Sequence, residues 1–424
     1  MKQTLIILAI IVGQLAQAQT PFTQPTASAL GFSVFVRQNA YISCSDFDGA
    51  VAIGGELSID GHTQFCNSSD GLLTDKTYKN PIGLVVNDGL LALESSDIQL
   101  GGKAWFNLGD CDRSSTAFDH QGSHAIQQIY RREDSEIRRE PIMTFSTVQP
   151  LTAICKSDVV NFQQQFQDLE ALSSGMSACA ENIKNRLNVD HENGKVLTLM
   201  PNRVNVWNVD IQTLNTIYTI SFENRPSIIT PLVINVRGDG KEHAIDFPDL
   251  HSIQNTEGLY MIWNFINIPQ LKINLTHPAI GTLFAPATIL KIEGEGNVEG
   301  QIIAKSVDLQ HVVVRDRPFS TFVGTCSGSN ADIRSETAQV NTYTLNETIV
   351  VKLYPNPSSD YINIYATQLV SNFQIYNQLG QIVLSDKYTG EPISIRRLPE
   401  GYYMVEVLDT NNMRMSLLGF QKID

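Results

Sequence analysis

The sequence predicts a mainly β protein, in which a large domain of stacked short strands carries one long helix and is followed by a small β module. Its apolar runs are only three to five residues long and are separated by glycines, as in the run 50–53 between Gly49 and Gly54. Two Gly-x-x-x-Ala frames, 281–285 and 300–304, begin 19 residues apart, close to the length of one coil in many solenoids. A β-sandwich would also have short strands, so the pattern favours stacked coils without excluding a sandwich.

The predicted helix spans 157–185. Ser157 is a suitable N-terminal cap. Apolar residues then recur at steps of three and four: Val159, Phe162, Phe166, Leu169, Leu172, Met176 and Cys179. They form one apolar face, which favours packing on the domain's own sheet over docking to a partner.

The N-terminus predicts export. Lys2 gives a positive start, 5–12 is an apolar run, and Ala16-Gln17-Ala18 is a small-residue cleavage site. This pattern is typical of a secretory signal peptide, residues 1–18, cut after Ala18. No later stretch approaches the ~20 apolar residues that span a membrane, so we predict no transmembrane anchor after cleavage.

The net charge limits the classes of partner that the protein can bind, and the cysteine content indicates how its thiols are used. Lys and Arg total 30 against 44 Asp and Glu, a net charge of −14, which argues against nucleic acid and anionic lipid. In an oxidising compartment six cysteines can form disulfides, and the absence of a C-x-x-C pair makes a metal site a poor alternative. The candidate disulfide cysteines are Cys44, Cys66, Cys111, Cys155, Cys179 and Cys326. We predict that most of them pair and that some stay as buried thiols.

The composition divides the chain into three parts after the signal peptide. Residues 27–326 form the large β-rich domain. Residues 327–350 are polar and poor in large apolar groups, as linkers are. Residues 351–424 form a compact β module whose alternating apolar residues, such as Ile362 and Ile364, predict strands.

The large domain resembles the choice-of-anchor A family of bacterial exported proteins. The resemblance rests on segments that match in order, namely 32–36, 45–55, 161–173, 231–238, 262–265, 281–287 and 297–305. It implies a right-handed β-helix with an adhesin-like surface role and no catalytic residues. The six cysteines and the polar stretch 109–150, which looks like an insertion, depart from the family.

The C-terminal module resembles a type A sorting domain of the type IX secretion system. The residues that carry this resemblance are Tyr354, Pro355, Asn356, Pro357, Gly380, Leu398, Gly401 and Tyr403. It implies a small Ig-like β-sandwich that engages the type IX machinery through 351–424. An ordinary Ig-like binding module is the alternative, since fold alone does not decide function.

The sequence contains no pattern typical of a catalytic, cofactor-binding or metal site. His120 and His124 share an i,i+4 spacing, but no third ligand accompanies them. Arg237-Gly238-Asp239 spells an integrin-type tripeptide, although matches this short are frequent by chance. Asp46 and Asp48 are too few for Ca²⁺, which takes six or more oxygens.

Two classes of function remain. The favoured one is a secreted or cell-surface, non-enzymatic adhesin-like protein that binds extracellular matrix or glycan. The alternative is a polysaccharide-acting β-helix enzyme, a lyase or glycosidase, which would need paired carboxylates on one face. An ice-binding solenoid is disfavoured because regular Thr-x-Thr arrays are absent from the sequence.

Overall fold

The structure is a computed structural model that describes residues 25–323 and 351–423 apart from short gaps. The gaps are 69–70, 72, 94–95, 112–115, 119–124, 133–136, 158, 191–192, 202, 229, 322, 355, 367–369, 378–380 and 409–413. The predicted signal peptide, the linker, Cys326, Pro355, Gly380, His120 and His124 therefore lie outside the described residues. Within the described part, no helix has the length and apolar character needed to cross a bilayer.

The first half of the large domain is built from strands, with two helices at its end. The strands are β1 (Val34–Val36), β2 (Ala40–Ser43), β3 (Asp46–Phe47), β4 (Val51–Ile53), β5 (Leu57–Asp60), β6 (His62–Phe65), β7 (Ile82–Val86), β8 (Leu90–Ala92), β9 (Asp97–Leu100), β10 (Trp105–Leu108), β11 (Thr116–Phe118), β12 (Ala125–Arg132) and β13 (Ile137–Pro150). The helices are α1 (Leu151–Ile154) and α2 (Phe162–Ser177).

The second half of this domain returns to strands. They are β14 (Lys184–Asn188), β15 (Gly194–Thr198), β16 (Asn205–Asp210), β17 (Thr219–Glu223), β18 (Leu232–Arg237), β19 (His243–Asp246), β20 (Asp249–His251), β21 (Met261–Ile266), β22 (Gln270–Leu275), β23 (Ala279–Ile280), β24 (Thr282–Gly294), β25 (Val298–Gly300), β26 (Ile302–Gln310) and β27 (Val313–Asp316). A short helix, α3 (Ile211–Leu214), follows β16.

The main sheet pairs its strands in parallel, in the order β10-β7-β4-β1-β26-β24-β21-β18-β16. We call these nine strands the long row. The two Gly-x-x-x-Ala frames are neighbours in it, because Leu283 pairs with Ile302 and Ala285 with Ala304. The 19-residue offset in the sequence is thus one strand-to-strand step.

The long row does not follow chain order. Val34 of β1 pairs with Val51 on one side and with Ile302 on the other. The chain therefore starts in the middle of the row, builds outward to β10, crosses to the far end at β16 and builds back to β1. This crossing spans eight strand spacings, about 38 Å at 4.8 Å each.

Helix α2 carries most of that crossing, since 16 residues span about 24 Å. It is shorter than the predicted 157–185, and Asn161 rather than Ser157 caps it, accepting from the N–H of Gln164 at 3.1 Å. Phe162 and Phe166 stack on Phe35 of β1, with ring centroids 5.3 and 5.2 Å away. The apolar stripe thus packs on the domain's own sheet.

Gly54 permits this close approach. A Cβ at that position would lie 2.8 Å from the Phe162 ring and 2.2 Å from the carbonyl oxygen of Arg37. Any other residue would push α2 away from the sheet.

One register column of the long row faces α2. In order from β10 to β16 its members are Asn107, Val85, Ala52, Phe35, Ile303, Phe284, Asn264, Asn235 and Asn208. The middle of the column is apolar and meets the phenylalanines of α2, whereas both ends are asparagine.

The asparagines hold the two ends of the crossing segment. Asn107 donates to the carbonyls of Ile154 and Lys156 at 3.2 and 2.9 Å. Near the end of α2, Asn264 donates to the carbonyl of Ser173 at 3.0 Å and Asn235 to that of Met176 at 2.9 Å. Together these amides tie the ends of both helical segments to strands at the two ends of the long row.

Amide side chains also close both ends of the long row. Gln149 accepts from the N–H of Phe106 on β10 at 2.9 Å and donates to the carbonyl of the same residue. At the other end, the Asn182 side chain accepts from the N–H of Val206 on β16 at 2.8 Å, and the backbone N–H of Asn182 donates to the Val206 carbonyl at 3.2 Å. Each amide occupies backbone groups that another strand could otherwise pair with.

The stretch 109–150 forms an antiparallel extension. Strands β11, β12 and β13 pair antiparallel, and β13 then joins β9 in parallel within a nine-stranded sheet, β11-β12-β13-β9-β6-β3-β27-β25-β23. A disulfide between Cys111 and Cys155 closes the base of this extension. The predicted use of cysteines in disulfides is confirmed for this pair.

The other three described cysteines are one disulfide-bonded residue and two thiols. Cys179 is disulfide-bonded. Cys44 and Cys66, predicted as disulfide candidates, are thiols in the structure. Each sits at a left-handed turn, with φ of 45° and 57°, and the Cys66 sulfur faces the Cα of Gly83. Cys66 is buried at its turn, whereas Cys44 is exposed, with its sulfur beside Gly61.

The C-terminal module has seven strands in its described residues: β28 (Val351–Tyr354), β29 (Tyr361–Ala366), β30 (Asn372–Tyr376), β31 (Ile382–Lys387), β32 (Ile393–Ser394), β33 (Gly401–Leu408) and β34 (Arg414–Lys422). They form two antiparallel sheets, β28-β29-β32 and β31-β30-β33-β34. The core between them, including Ile362, Ile375 and Val405, is separate from the core of the large domain.

Candidate binding face and sorting motif

A second run of parallel strands, β19-β22-β24-β26-β2-β5-β8, presents one side to solvent. We call this side the polar face. Alternate residues of these strands, such as Ile273, Ile292 and Ile42, are buried, so their neighbours point outward. The outward residues form two rows across the strands. The first row is Ala244, Lys272, Lys291, Asp308, Tyr41, Ser58 and Leu91, and the second is Asp246, Asn274, Glu293, Gln310, Ser43 and Asp60.

Ion pairs link the two rows. The Lys272 ammonium lies 2.6 Å from a Glu293 carboxylate oxygen, and Lys291 lies 3.3 Å from Asp308 and 4.0 Å from Glu293. The hydrogen bond from Lys272 lowers the pKa of Glu293 below its ordinary value. A general acid in glycoside hydrolysis needs a raised pKa, so Glu293 is poorly suited to that role.

Neutral hydrogen-bonding groups flank the ion pairs. Asn274 donates to Asp246 at 2.8 Å, and Gln310 donates to Asp308 at 2.8 Å. Burial, followed by the neighbouring carboxylate of Asp60, raises the pKa of Tyr41. The polar face therefore offers donors and acceptors at a spacing of about 4.8 Å from strand to strand.

The candidate calcium carboxylates do not converge. Asp48 accepts from Arg315 at 3.1 Å, whereas Asp46 lies in an outward position of β3, in register with Val313 and Gln64. Among the described residues, no group of three or more His, Cys, Asp or Glu side chains could hold a metal ion.

The Arg-Gly-Asp tripeptide is engaged within the domain. Nε2 of His243 lies 2.9 Å from the Asp239 carboxylate, and the N–H of Lys241 donates to it at 3.2 Å. The histidine contact lowers the pKa of Asp239. Arg237 donates to the carbonyl of Ser177 at 3.5 Å. Both charged groups of the tripeptide thus have structural partners.

In the C-terminal module, Asn356 closes a sheet edge. Its side chain donates to the carbonyl of Gly419 at 2.9 Å and accepts from the N–H of Gln421 at 3.0 Å. Ser358 continues this contact through its N–H to the carbonyl of Gln421 at 2.9 Å. The segment around Asn356-Pro357 is therefore fastened along β34.

The later motif residues stabilise the same sandwich. Tyr403 is buried, donates its hydroxyl to the carbonyl of Pro399 at 2.8 Å and stacks on Phe420 at 5.5 Å between centroids. Leu398 packs against the core, and Gly401 adopts a φ of 151° where β33 begins. Tyr354 lies in β28. Which of these residues the secretion machinery contacts stays a prediction.

A family model described as "Putative Ice-binding-like adhesive domain" matches residues 25–315. The chain belongs to this family. The match covers the parallel sheets, the crossing helix and the polar face, so we refer to this part as the adhesive domain. No curated protein matches the chain.

Several solved structures align with most of this chain at low sequence identity. The DUF3494 domain of Shewanella frigidimarina ice-binding protein 1 is 12% identical, with a TM-score of 0.25, over 70% of this chain and 98% of that one. An ice-binding protein from an Antarctic biological consortium is 9% identical, with a TM-score of 0.27, over 74% and 96%. The ice-binding protein of the Antarctic ascomycete Antarctomyces psychrotrophicus is 9% identical, with a TM-score of 0.25, over 70% of this chain and 98% of that one.

A second family model, "Secretion system C-terminal sorting domain", matches residues 352–417. The C-terminal module is therefore a sorting domain of the type IX route, and the protein is exported to the cell surface or secreted. Neither matched family is described by a catalytic activity.

Sequence reasoning missed the asparagines and the polar rows of the adhesive domain. One signal was present, because Trp207-Asn208 and Trp263-Asn264 repeat the same dipeptide on strands that both pair with β18. The polar rows have no such signal, since they join residues that are far apart in the chain.

Proposed function

We propose that this protein is a non-enzymatic surface adhesin whose polar face binds an extracellular glycan or matrix protein. The observation that carries the proposal is the pair of polar rows, the first held in register across seven parallel strands and the second across six of them. A broad face of regularly spaced donors and acceptors suits many weak contacts along an extended ligand, whose sum gives avidity.

The proposal extends to the organisation of the chain. The adhesive domain is taken as a right-handed β-helix of the choice-of-anchor A type, spanning 27–326. A signal peptide at 1–18 starts export, and a linker at 327–350 joins the domain to the sorting domain at 351–424. The parallel registers and the two separate cores support this arrangement.

Glycan and matrix-protein arrays probed with the secreted chain test the ligand class. Lys291→Glu reverses the central charge of the polar face, and we expect it to weaken binding about tenfold or more. Gln99→Glu is the matched control, because Gln99 is an outward residue of β9 on the other large sheet. Equal binding by wild type and Lys291→Glu would contradict the proposal.

Ice is the second candidate ligand, because the family description names it. The polar rows carry lysines and carboxylates joined in ion pairs, and we expect these hydrated charges to prevent tight adsorption to ice. Thermal hysteresis of the purified protein should be absent. A clear hysteresis that is lost in Lys291→Glu would make ice the ligand of the polar face.

A polysaccharide-acting enzyme is the remaining alternative. Its test is the release of reducing or unsaturated ends from the glycans that the arrays identify. We expect none, since the central carboxylate Glu293 is held ionised by Lys272.

A further inference from the structure

The sorting domain leaves one edge of its four-stranded sheet open. At the other edge, Asn356 and Ser358 pair with the backbone of β34. In the described residues, β31 pairs only with β30. One side of this sheet is thus closed by the sorting motif, while the backbone groups on the opposite side pair with no other described strand.

The first half of β31 is also apolar and exposed. Ile382 is 54% exposed and Val383 is 38% exposed. They make up half of the large exposed apolar side chains found in the described part of this domain, the others being Tyr361 and Ile423. A free edge with exposed apolar residues is what soluble proteins normally avoid, because it invites another strand to pair.

The adhesive domain treats its edges differently. Gln149 and Asn182 occupy the edges of β10 and β16 with their amides. The edge strand β14 carries Leu187, which is 69% exposed, but it also carries Lys184 and Arg186 beside that residue, and such charges discourage strand addition. The apolar half of β31 has neither an amide nor a charge, so its exposure is consistent with a role in binding another strand.

We propose that β31 is the docking edge of the sorting domain, and that its partner is an extended segment of the type IX secretion machinery that adds to the sheet as a further strand. Backbone N–H and C=O groups along β31 would pair with that segment, and Ile382 and Val383 would contact its apolar side chains. At the other end of the strand, Asp386 and Lys387 carry opposite charges, which favour one register and direction of the incoming strand.

The test uses the full chain in a host with a type IX secretion system. The double variant Ile382→Lys, Val383→Lys places two charges on the open edge. We expect its surface-exposed fraction to fall roughly tenfold, with accumulation in the periplasm and an unchanged unfolding midpoint. Tyr361→Lys is the matched control, because the exposure of Tyr361, 48%, lies between those of Ile382 and Val383 while Tyr361 belongs to the other sheet, and this variant should be displayed normally. Normal display of the double variant would overturn the proposal.

A photocrosslinking experiment decides the case in which the double variant is unstable. A benzophenone amino acid at position 383 should crosslink to an outer-membrane component of the secretion system, and the same group at position 361 should not. A crosslink between two copies of this chain at position 383 would show that β31 pairs with itself, and would overturn the proposal. Equal capture of the secretion component from both positions would also overturn it.

Discussion

Asn264 shows how single amide side chains fix the adhesive domain. It is fully buried, donates to the carbonyl of Ser173 at 3.0 Å and to the side chain of Asn235 at 2.9 Å, and accepts from the Ser173 hydroxyl at 2.6 Å. Asn235 in turn donates to Asn208 at 2.9 Å. This ladder joins three neighbouring strands to the end of α2, so losing one member leaves buried partners unsatisfied.

We predict that Asn264→Ala lowers the free energy of unfolding by about 2–4 kcal/mol, since it removes three buried hydrogen bonds and leaves a small cavity. Urea unfolding of the purified protein measures this loss. Asn274→Ala removes an amide that bonds only to Asp246 on the polar face, and should cost less than about 1 kcal/mol. Equal losses in both variants would contradict the role given to the ladder.

Asp75 is a buried carboxylate next to the crossing segment. Burial alone would raise its pKa, but the N–H groups of Tyr78 and Thr77 and the ammonium of Lys156 outweigh it, so the pKa of Asp75 is lowered. The two N–H groups donate at 2.8 Å, and Lys156 lies 3.2 Å away. Ionised Asp75 therefore ties the loop before β7 to the residue that follows Cys155.

A lowered carboxylate pKa stabilises the fold above the unfolded value of about 3.9, and this contribution is lost as the pH falls through the lower folded value. We expect Asp75→Asn to be less stable than wild type at pH 7, with the gap closing in strong acid. Denaturant unfolding as a function of pH checks this. In a Lys156→Met background, Asp75→Asn should cost less stability than it does in the wild type, because one partner of the carboxylate is already gone. A pH-independent gap would show that Asp75 acts through packing alone.

At the scale of elements, α2 packs on β1, the strand at which the two halves of the long row pair with each other. Phe166 is fully buried and stacks on Phe35, which belongs to the strand where the row closes. We expect Phe166→Ala to cost roughly 3–5 kcal/mol, as other large-to-small core changes do. Gln167→Ala, at an exposed position of the same helix, should stay within about 0.5 kcal/mol. Calorimetric or urea unfolding distinguishes the two.

The ends of the long row give a second prediction at this scale. Removing the Gln149 amide leaves the N–H and the carbonyl of Phe106 at the edge of β10 without their partner. We expect Gln149→Ala to self-associate more than wild type, because an uncovered parallel edge is a template for another strand. Sedimentation velocity over a range of concentrations measures this. Gln99→Ala, on a strand paired on both sides, should sediment like wild type.

At the scale of the whole molecule, the described chain folds around two separate hydrophobic cores, one in the adhesive domain and one in the sorting domain. No residue is shared between the adhesive core and the sorting core in the described part of the chain. Deleting 351–424 should leave the adhesive domain folded, with a similar unfolding midpoint, but trapped in the periplasm. Cell fractionation with surface proteolysis tests this, and normal surface display of the truncated chain would refute it.

The sequence by itself determined the features that depend on neighbours in the chain. Local alternation and glycine turns gave the short strands, the three- and four-residue steps gave the helix, and the segment from Tyr354 to Tyr403 carried the sorting motif. The Gly-x-x-x-Ala frames even gave one strand-to-strand step correctly, because those two strands lie close together in the chain and side by side in the sheet.

Tertiary structure alone decided the order of the strands and the composition of the surface. Val34 meets Ile302, and Tyr41 stands beside Asp308, so the polar face joins residues more than 260 positions apart. No local pattern encodes such a pairing, since it depends on where α2 returns the chain. The predicted helix 157–185 was too long at both ends, since α2 starts after the Asn161 cap and ends at Ser177, where asparagines from distant strands bind its carbonyls.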